Sequence, residues 1–173
     1  RKAADFLLKE QNRDGSWGNH TRTKGLNVLC PYPEGPRSFR TASTSLCVIG
    51  LLTSPLKEDP AVKASLDKAL QYLLTTLPTL KRGDTRTVLG VWGHAYGLSA
   101  LSRAARNLPA DAPLREELKK VASLQVKALD QMADVQGGWG YYTFETFSKR
   151  PIGEPTSFLT ATAVSYTHLT LPT

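Results

Sequence analysis

The sequence predicts an all-α protein built from helical hairpins. Three observations predict it. Amphipathic stretches begin near residues 1, 60 and 112. Each is followed by a polar loop and then by a helix-like run of smaller residues. The repeat spacing, about 50 to 60 residues, is that of an array whose hairpins cannot bury their apolar faces alone and so must stack. Two helix types imply two layers, amphipathic helices outside and small-residue helices inside.

The first unit opens within Lys2 to Glu10, with Ala3, Phe6 and Leu7 on one face. A polar loop from Asn12 to Arg37 follows, and its PYPEGP segment argues against regular structure there. SFRTASTSLCVIGLL, Ser38 to Leu52, reads as a tightly packed helix, with strand as the competing reading because of its β-branched residues. The second unit starts at Asp59, a natural N-cap, and Pro60, a natural first helical residue. Val62, Leu66, Ala69, Leu70, Leu73 and Leu77 recur at three and four, the spacing of a buried stripe. A loop beginning at Pro78 leads to VWGHAYGLSALSRAARNL. In the third unit Asp111 is read as the cap, and Leu114, Leu118, Val121, Gln125 and Leu129 mark a face. After the loop that starts at Gln136, TSFLTATA begins another small-residue helix.

One stretch carries more than periodicity. KAADFLLKEQNRDGSW, Lys2 to Trp17, is a helix that ends in a glutamine and then a turn closed by tryptophan. Gln11 ends the helix with an amide able to satisfy backbone groups left without partners there. Gly15 permits the turn at no steric cost. Trp17 brings a large flat surface expected to stack on the neighbouring repeat, with an indole N–H that needs a partner, so the motif reads as a clamp between adjacent hairpins. This pattern resembles the QW repeat of the terpenoid-cyclase and protein-prenyltransferase superfamily. A second, degenerate copy keeps Lys127, Ala128, Gln136, Gly138 and Trp139, and Lys68 to Leu73 keeps only the front half. The chain looks most like bacterial proteins with prenyltransferase and squalene-oxidase type repeats.

The resemblance covers residues 1 to about 162. It implies an α/α toroid of helical hairpins, of which roughly half a ring is present, with inner helices lining a cavity for an isoprenoid or other apolar ligand. A non-catalytic toroid, serving as a binding or scaffold module, is the alternative. Its chemistry transfers poorly. The DxDD acid of terpene cyclases, the Asp-x-Cys and His zinc set of prenyltransferases and the GCGEQ of thioester domains are all missing from this sequence. No catalytic residue is assigned, no cofactor is implied, and no metal ligands are grouped. VWGHAYG is the best local candidate for a site: Trp92, His94 and Tyr96 stand at the start of an inner helix, where the helix dipole favours anions and aromatic faces favour cations. His94 reads either as a structural histidine bonded to a neighbouring segment or as a neutral base; Trp92 reads either as a wall of the cavity or as a substitute for the missing QW tryptophan. Arg40 and Glu154 hold equivalent places before or within the other inner helices, so Arg40, His94 and Glu154 are expected at one end of the cavity, with a structural ion pair or solvation as the competing reading.

Composition restricts the rest. The chain carries 22 Lys and Arg against 15 Asp and Glu, a net charge of +7, but the basic residues are scattered. That pattern does not indicate a nucleic-acid surface. Cys30 and Cys47 are too few for a disulfide framework and do not fix a compartment. No apolar run is long enough to span a membrane, which leaves peripheral contact open. The final ten residues, VSYTHLTLPT from Val164, match one reading frame of a sequencing-library adapter, so 163–173 are expected to lie outside the domain.

Overall fold

Apolar spacing decides where helix forms in this chain. The structure, a computed structural model, describes residues 1–19, 34–81, 90–140 and 155–167. Regular structure among the described residues is entirely helical: α1 (Lys2–Glu10), α2 (Glu34–Thr53), α3 (Pro60–Thr76), α4 (Gly90–Asn107), α5 (Pro113–Met132) and α6 (Ser157–Thr167). The all-α expectation therefore holds, and strand is excluded for Ser38 to Leu52.

The boundaries have local causes. α2 starts at Glu34, ahead of the expected Ser38, because Pro36 falls in the first turn, where its missing N–H costs nothing. The hydroxyls that made a strand plausible are absorbed inside the helix. Thr41, Thr44 and Ser45 donate to the carbonyls of Arg37, Arg40 and Thr41 at 2.9, 2.9 and 2.8 Å, so these buried polar groups are satisfied. α3 begins as expected: the Asp59 carboxylate accepts the Ala61 N–H at 2.9 Å and Pro60 opens the helix. Its whole predicted stripe is buried. α5 corrects one expectation. Its N-cap is Ala112 and Pro113 opens it, so Asp111 is not the cap. Proline's fixed φ sets the first helical residue, and the residue just before it takes the cap position. α6 runs past Ala163 to Thr167.

Two layers result. α4 lies between α2 and α6, forming one layer; α3 neighbours α1 on one side and α5 on the other, forming the second. The layers join where α2 meets α3 and α4 meets α5. Leu73, Leu98, Leu101, Leu118 and Leu129 are all fully enclosed between them.

The glycines of VWGHAYG belong to this packing. A Cβ on Gly93 would stand 2.5 Å from Leu80 and 3.2 Å from the Ser38 carbonyl of α2, and one on Gly97 would stand 2.5 Å from Leu77. Leu77 and Leu80 flank a single 3-10 turn, Leu77–Thr79, that follows α3 in place of a tryptophan turn. Both are buried. The middle unit thus closes with leucines pressed against glycines.

Candidate functional site

The first tryptophan turn is a joint with two sides. Trp17 is only 4% exposed. Its indole Nε1 donates to the Leu7 carbonyl of α1 at 2.8 Å, and its backbone N–H donates to the Thr44 hydroxyl of α2 at 2.9 Å. Trp17 therefore binds its own hairpin together. Gln11 reaches the next one. Its amide nitrogen donates to the carbonyls of Gly15 and Ser65, both at 2.9 Å, while its amide oxygen accepts from the Ser65 hydroxyl at 2.8 Å. Gly15 has φ +87°, and a Cβ there would lie 2.3 Å from the Lys68 carbonyl oxygen of α3.

The second turn repeats the own-hairpin half. Trp139 Nε1 donates to the Leu129 carbonyl of α5 at 2.8 Å, and its N–H to the Thr160 hydroxyl of α6 at 3.0 Å. Counting back from the two tryptophans, Leu129 matches Leu7 and Ala133 matches Gln11. Gln136 falls at the place of Asp14, exposed at the turn, its N–H donating to the Asp134 carboxylate at 2.8 Å. Gly137 and Gly138 carry the left-handed backbone, with φ +93° and +84°.

Arg40 is built into the first joint. Its guanidinium holds the Asp14 carboxylate at 3.0 and 2.9 Å, and lies 5.7 Å from the Tyr72 ring centroid on α3. Burial pushes the Asp14 carboxyl up, but the Ser16 hydroxyl and N–H and the Arg40 charge outweigh it and hold the group below its ordinary range.

His94 points from α4 into the seam with α5. It is 2% exposed, and its Nδ1 lies 2.7 Å from the Gln125 amide oxygen. The Gln125 amide nitrogen donates to the Val121 carbonyl at 3.0 Å, which leaves the oxygen facing the ring. Nδ1 is therefore the protonated nitrogen of a neutral imidazole. Nε2, buried beside Gly90, has no hydrogen-bond partner among the described residues. Burial lowers the His94 pKa, and the Gln125 bond only partly opposes it.

A pH dependence follows with a definite sign. The folded pKa lies below the unfolded value, so as pH falls below about 6.5 the unfolded chain takes up a proton that the folded chain refuses. Stability is full above that pH and declines below it, by up to about 1.4 kcal/mol per pH unit, until the lowered folded pKa is passed. Urea unfolding across this window should show a steeper loss for the natural chain than for a His94→Leu, Gln125→Leu pair, which removes both partners together. Parallel curves for the two proteins would contradict this assignment.

The remaining candidates divide. Trp92 and Tyr96 lie on the side of α4 turned away from α5, half-buried, their rings stacked 5.6 Å apart and 12° from parallel. Trp92 also stacks on Phe158 of α6 at 6.0 Å. Trp92 sits within a helix, unlike Trp17, so it does not replace a turn tryptophan. His94 faces Gln125 of α5 and Arg40 faces Tyr72 of α3, not this aromatic group. Glu154 and Cys30 lie outside the described residues. Burial pushes the Cys47 thiol up to about 11, so it is not a thiolate at neutral pH. Among the described residues no cluster of His, Cys, Asp or Glu could hold a metal ion, and no helix is long and apolar enough to cross a membrane.

Sequence reasoning missed the partners. Thr44 and Thr160, which receive the two tryptophan N–H groups, carried no signal beyond their place in small-residue helices. Gln125 was visible as a polar residue in an apolar stripe, which is the mark of a buried hydrogen bond.

The fold and these contacts define a class: an all-α chain of two helical layers with tryptophan-closed turns. No family model, no curated protein and no solved structure matches the chain.

Proposed function

We propose that this chain is part of a terpene-cyclase and prenyltransferase-like repeat protein of QW type, whose inner helical layer binds an isoprenoid or similar apolar ligand. The supporting observation is the stacked group Trp92, Tyr96 and Phe158 on α4 and α6, with Phe158 52% exposed. Leu46 of α2, 46% exposed, adds apolar surface to the same layer. A stack of rings that ends in a half-exposed Phe158 suits an unsaturated hydrocarbon, which gains burial without asking for hydrogen bonds.

The test is titration with farnesol, read by tryptophan fluorescence. Saturable quenching is expected, and Trp92→Ala should weaken it by roughly tenfold or more, since ring stacking and apolar burial are lost together. Absence of saturable binding, or equal binding by a folded Trp92→Ala chain, counts against the reading.

A second reading, a non-catalytic scaffold or binding module, is favoured by the polar groups. His94 is oriented by an amide, not a carboxylate, and Arg40 is engaged by Asp14 and Tyr72. Neither arrangement is that of a positioned general base or acid.

A further inference from the structure

The aromatic group occupies one end of the inner layer. At the other end, beyond the last turns of α2 and α4, is a pocket of about 310 Å³ lined by Leu52, Thr53, Arg103, Arg106 and Asn107. That volume is at the small end of small-molecule sites, which run roughly 300 to 1,000 Å³.

Arginines near helix C-termini commonly serve the last carbonyls, but among the described residues neither Arg103 nor Arg106 donates to one, Arg103 reaching only the Ser99 hydroxyl. Thr53 donates to the Ile49 and Gly50 carbonyls at 2.9 and 3.1 Å, and the Asn107 amide donates to the Arg103 carbonyl at 2.9 Å. Nor do the arginines pair with acids. Every ion pair among the described residues involves other groups, and Glu58, in the connection after α2, is taken by Lys63 at 2.7 Å. Arg103 is tied only through Nε, to the Ser99 hydroxyl at 3.4 Å, so both terminal nitrogens of its fork remain. A third cation stands at the mouth: Lys57 Nζ lies 3.5 Å from the Asn107 amide oxygen. The two helix ends oppose an anion with about half an elementary charge each, and three full positive charges outweigh them.

The geometry points to this pocket as a binding site for a phosphate monoester on a sugar-sized body. Arg103 and Arg106 are three residues apart on one helix, so their side chains are neighbours. Two guanidinium forks together ask for more than two acceptor oxygens. A carboxylate offers two oxygens and a phosphate monoester three outward ones. Thr53 and Asn107 supply hydroxyl and amide oxygens that suit a sugar, with Leu52 beneath. The site lies about two turns of α4 or more from the aromatic group and does not depend on the apolar-ligand reading.

Titration calorimetry on the whole chain at constant ionic strength tests it, with glucose 6-phosphate, glucose and acetate as probes. Saturable binding of glucose 6-phosphate is expected, with no comparable binding of glucose or acetate. Arg103→Gln and Arg106→Gln should each weaken it by about tenfold or more. Arg103→Lys should fall between, because it keeps the charge and loses the fork. Lys119→Gln on α5, where the lysine pairs with Glu116, should bind as the natural chain does. Circular dichroism confirms that each variant is folded. The proposal is overturned by absence of saturable binding up to about 10 mM, by acetate binding as well as the sugar phosphate, or by folded arginine variants that bind unchanged.

Discussion

Gly15→Ala is expected to open the seam between the first two hairpins. Two costs combine. The residue holds φ +87°, where a side chain costs about 1–2 kcal/mol. The new methyl also meets the Lys68 carbonyl of α3, 2.3 Å away. That neighbour is backbone, so relief requires α3 to move away, and overpacking of this kind costs about 1–3 kcal/mol or more. The sum should lower the melting temperature by roughly 10 °C. Gly137→Ala separates the two terms. Gly137 has φ +93° but nothing lies within 4 Å of the point its methyl would occupy, so it should show only the backbone cost. Equal losses for the two variants would mean that Gly15 is a turn residue and not part of the seam.

Trp17→Ala should be the most damaging single change in this region. It empties a site that is only 4% exposed and costs about 3–5 kcal/mol. Trp17→Phe keeps most of the volume but leaves the Leu7 carbonyl without its indole donor, and should cost about 1–3 kcal/mol. Trp139 makes the same two bonds from a half-buried position, so Trp139→Ala should cost less than Trp17→Ala. Denaturant unfolding of the three variants checks this order. A Trp17→Phe chain as stable as the natural one would remove the indole bond from the account.

Local signals were legible where one short segment carried them. The stripe from Val62 to Leu77 and the Asp59–Pro60 start needed only periodicity and capping chemistry, and both hold. Asp111 failed because two start signals competed, and Pro113 decided between them. The second tryptophan turn shows a subtler limit. Gln136, Gly138 and Trp139 look like the first turn when read as letters, yet Leu129 and Trp139 set the register and leave Ala133 at the place of Gln11. A hydrogen bond ten residues long defines that register, and letters alone do not reveal it. The His94–Gln125 pair and the Arg103 pocket were less legible still. Each joins segments tens of residues apart, brought together by how α4 packs on α5 and on α2.

The two turns also separate two kinds of constraint. Among the described residues the indole and backbone N–H bonds of Trp17 and Trp139 stay within their own hairpins, to Leu7 with Thr44 and to Leu129 with Thr160. Gln11 and Gly15 answer to a different hairpin, through Ser65 and Lys68. Substitution at a tryptophan is thus judged by one unit, and substitution at the glutamine by a pair of units. The α5 turn, with Ala133 at the place of Gln11, keeps the bonds within its own hairpin without a side-chain amide that could reach another.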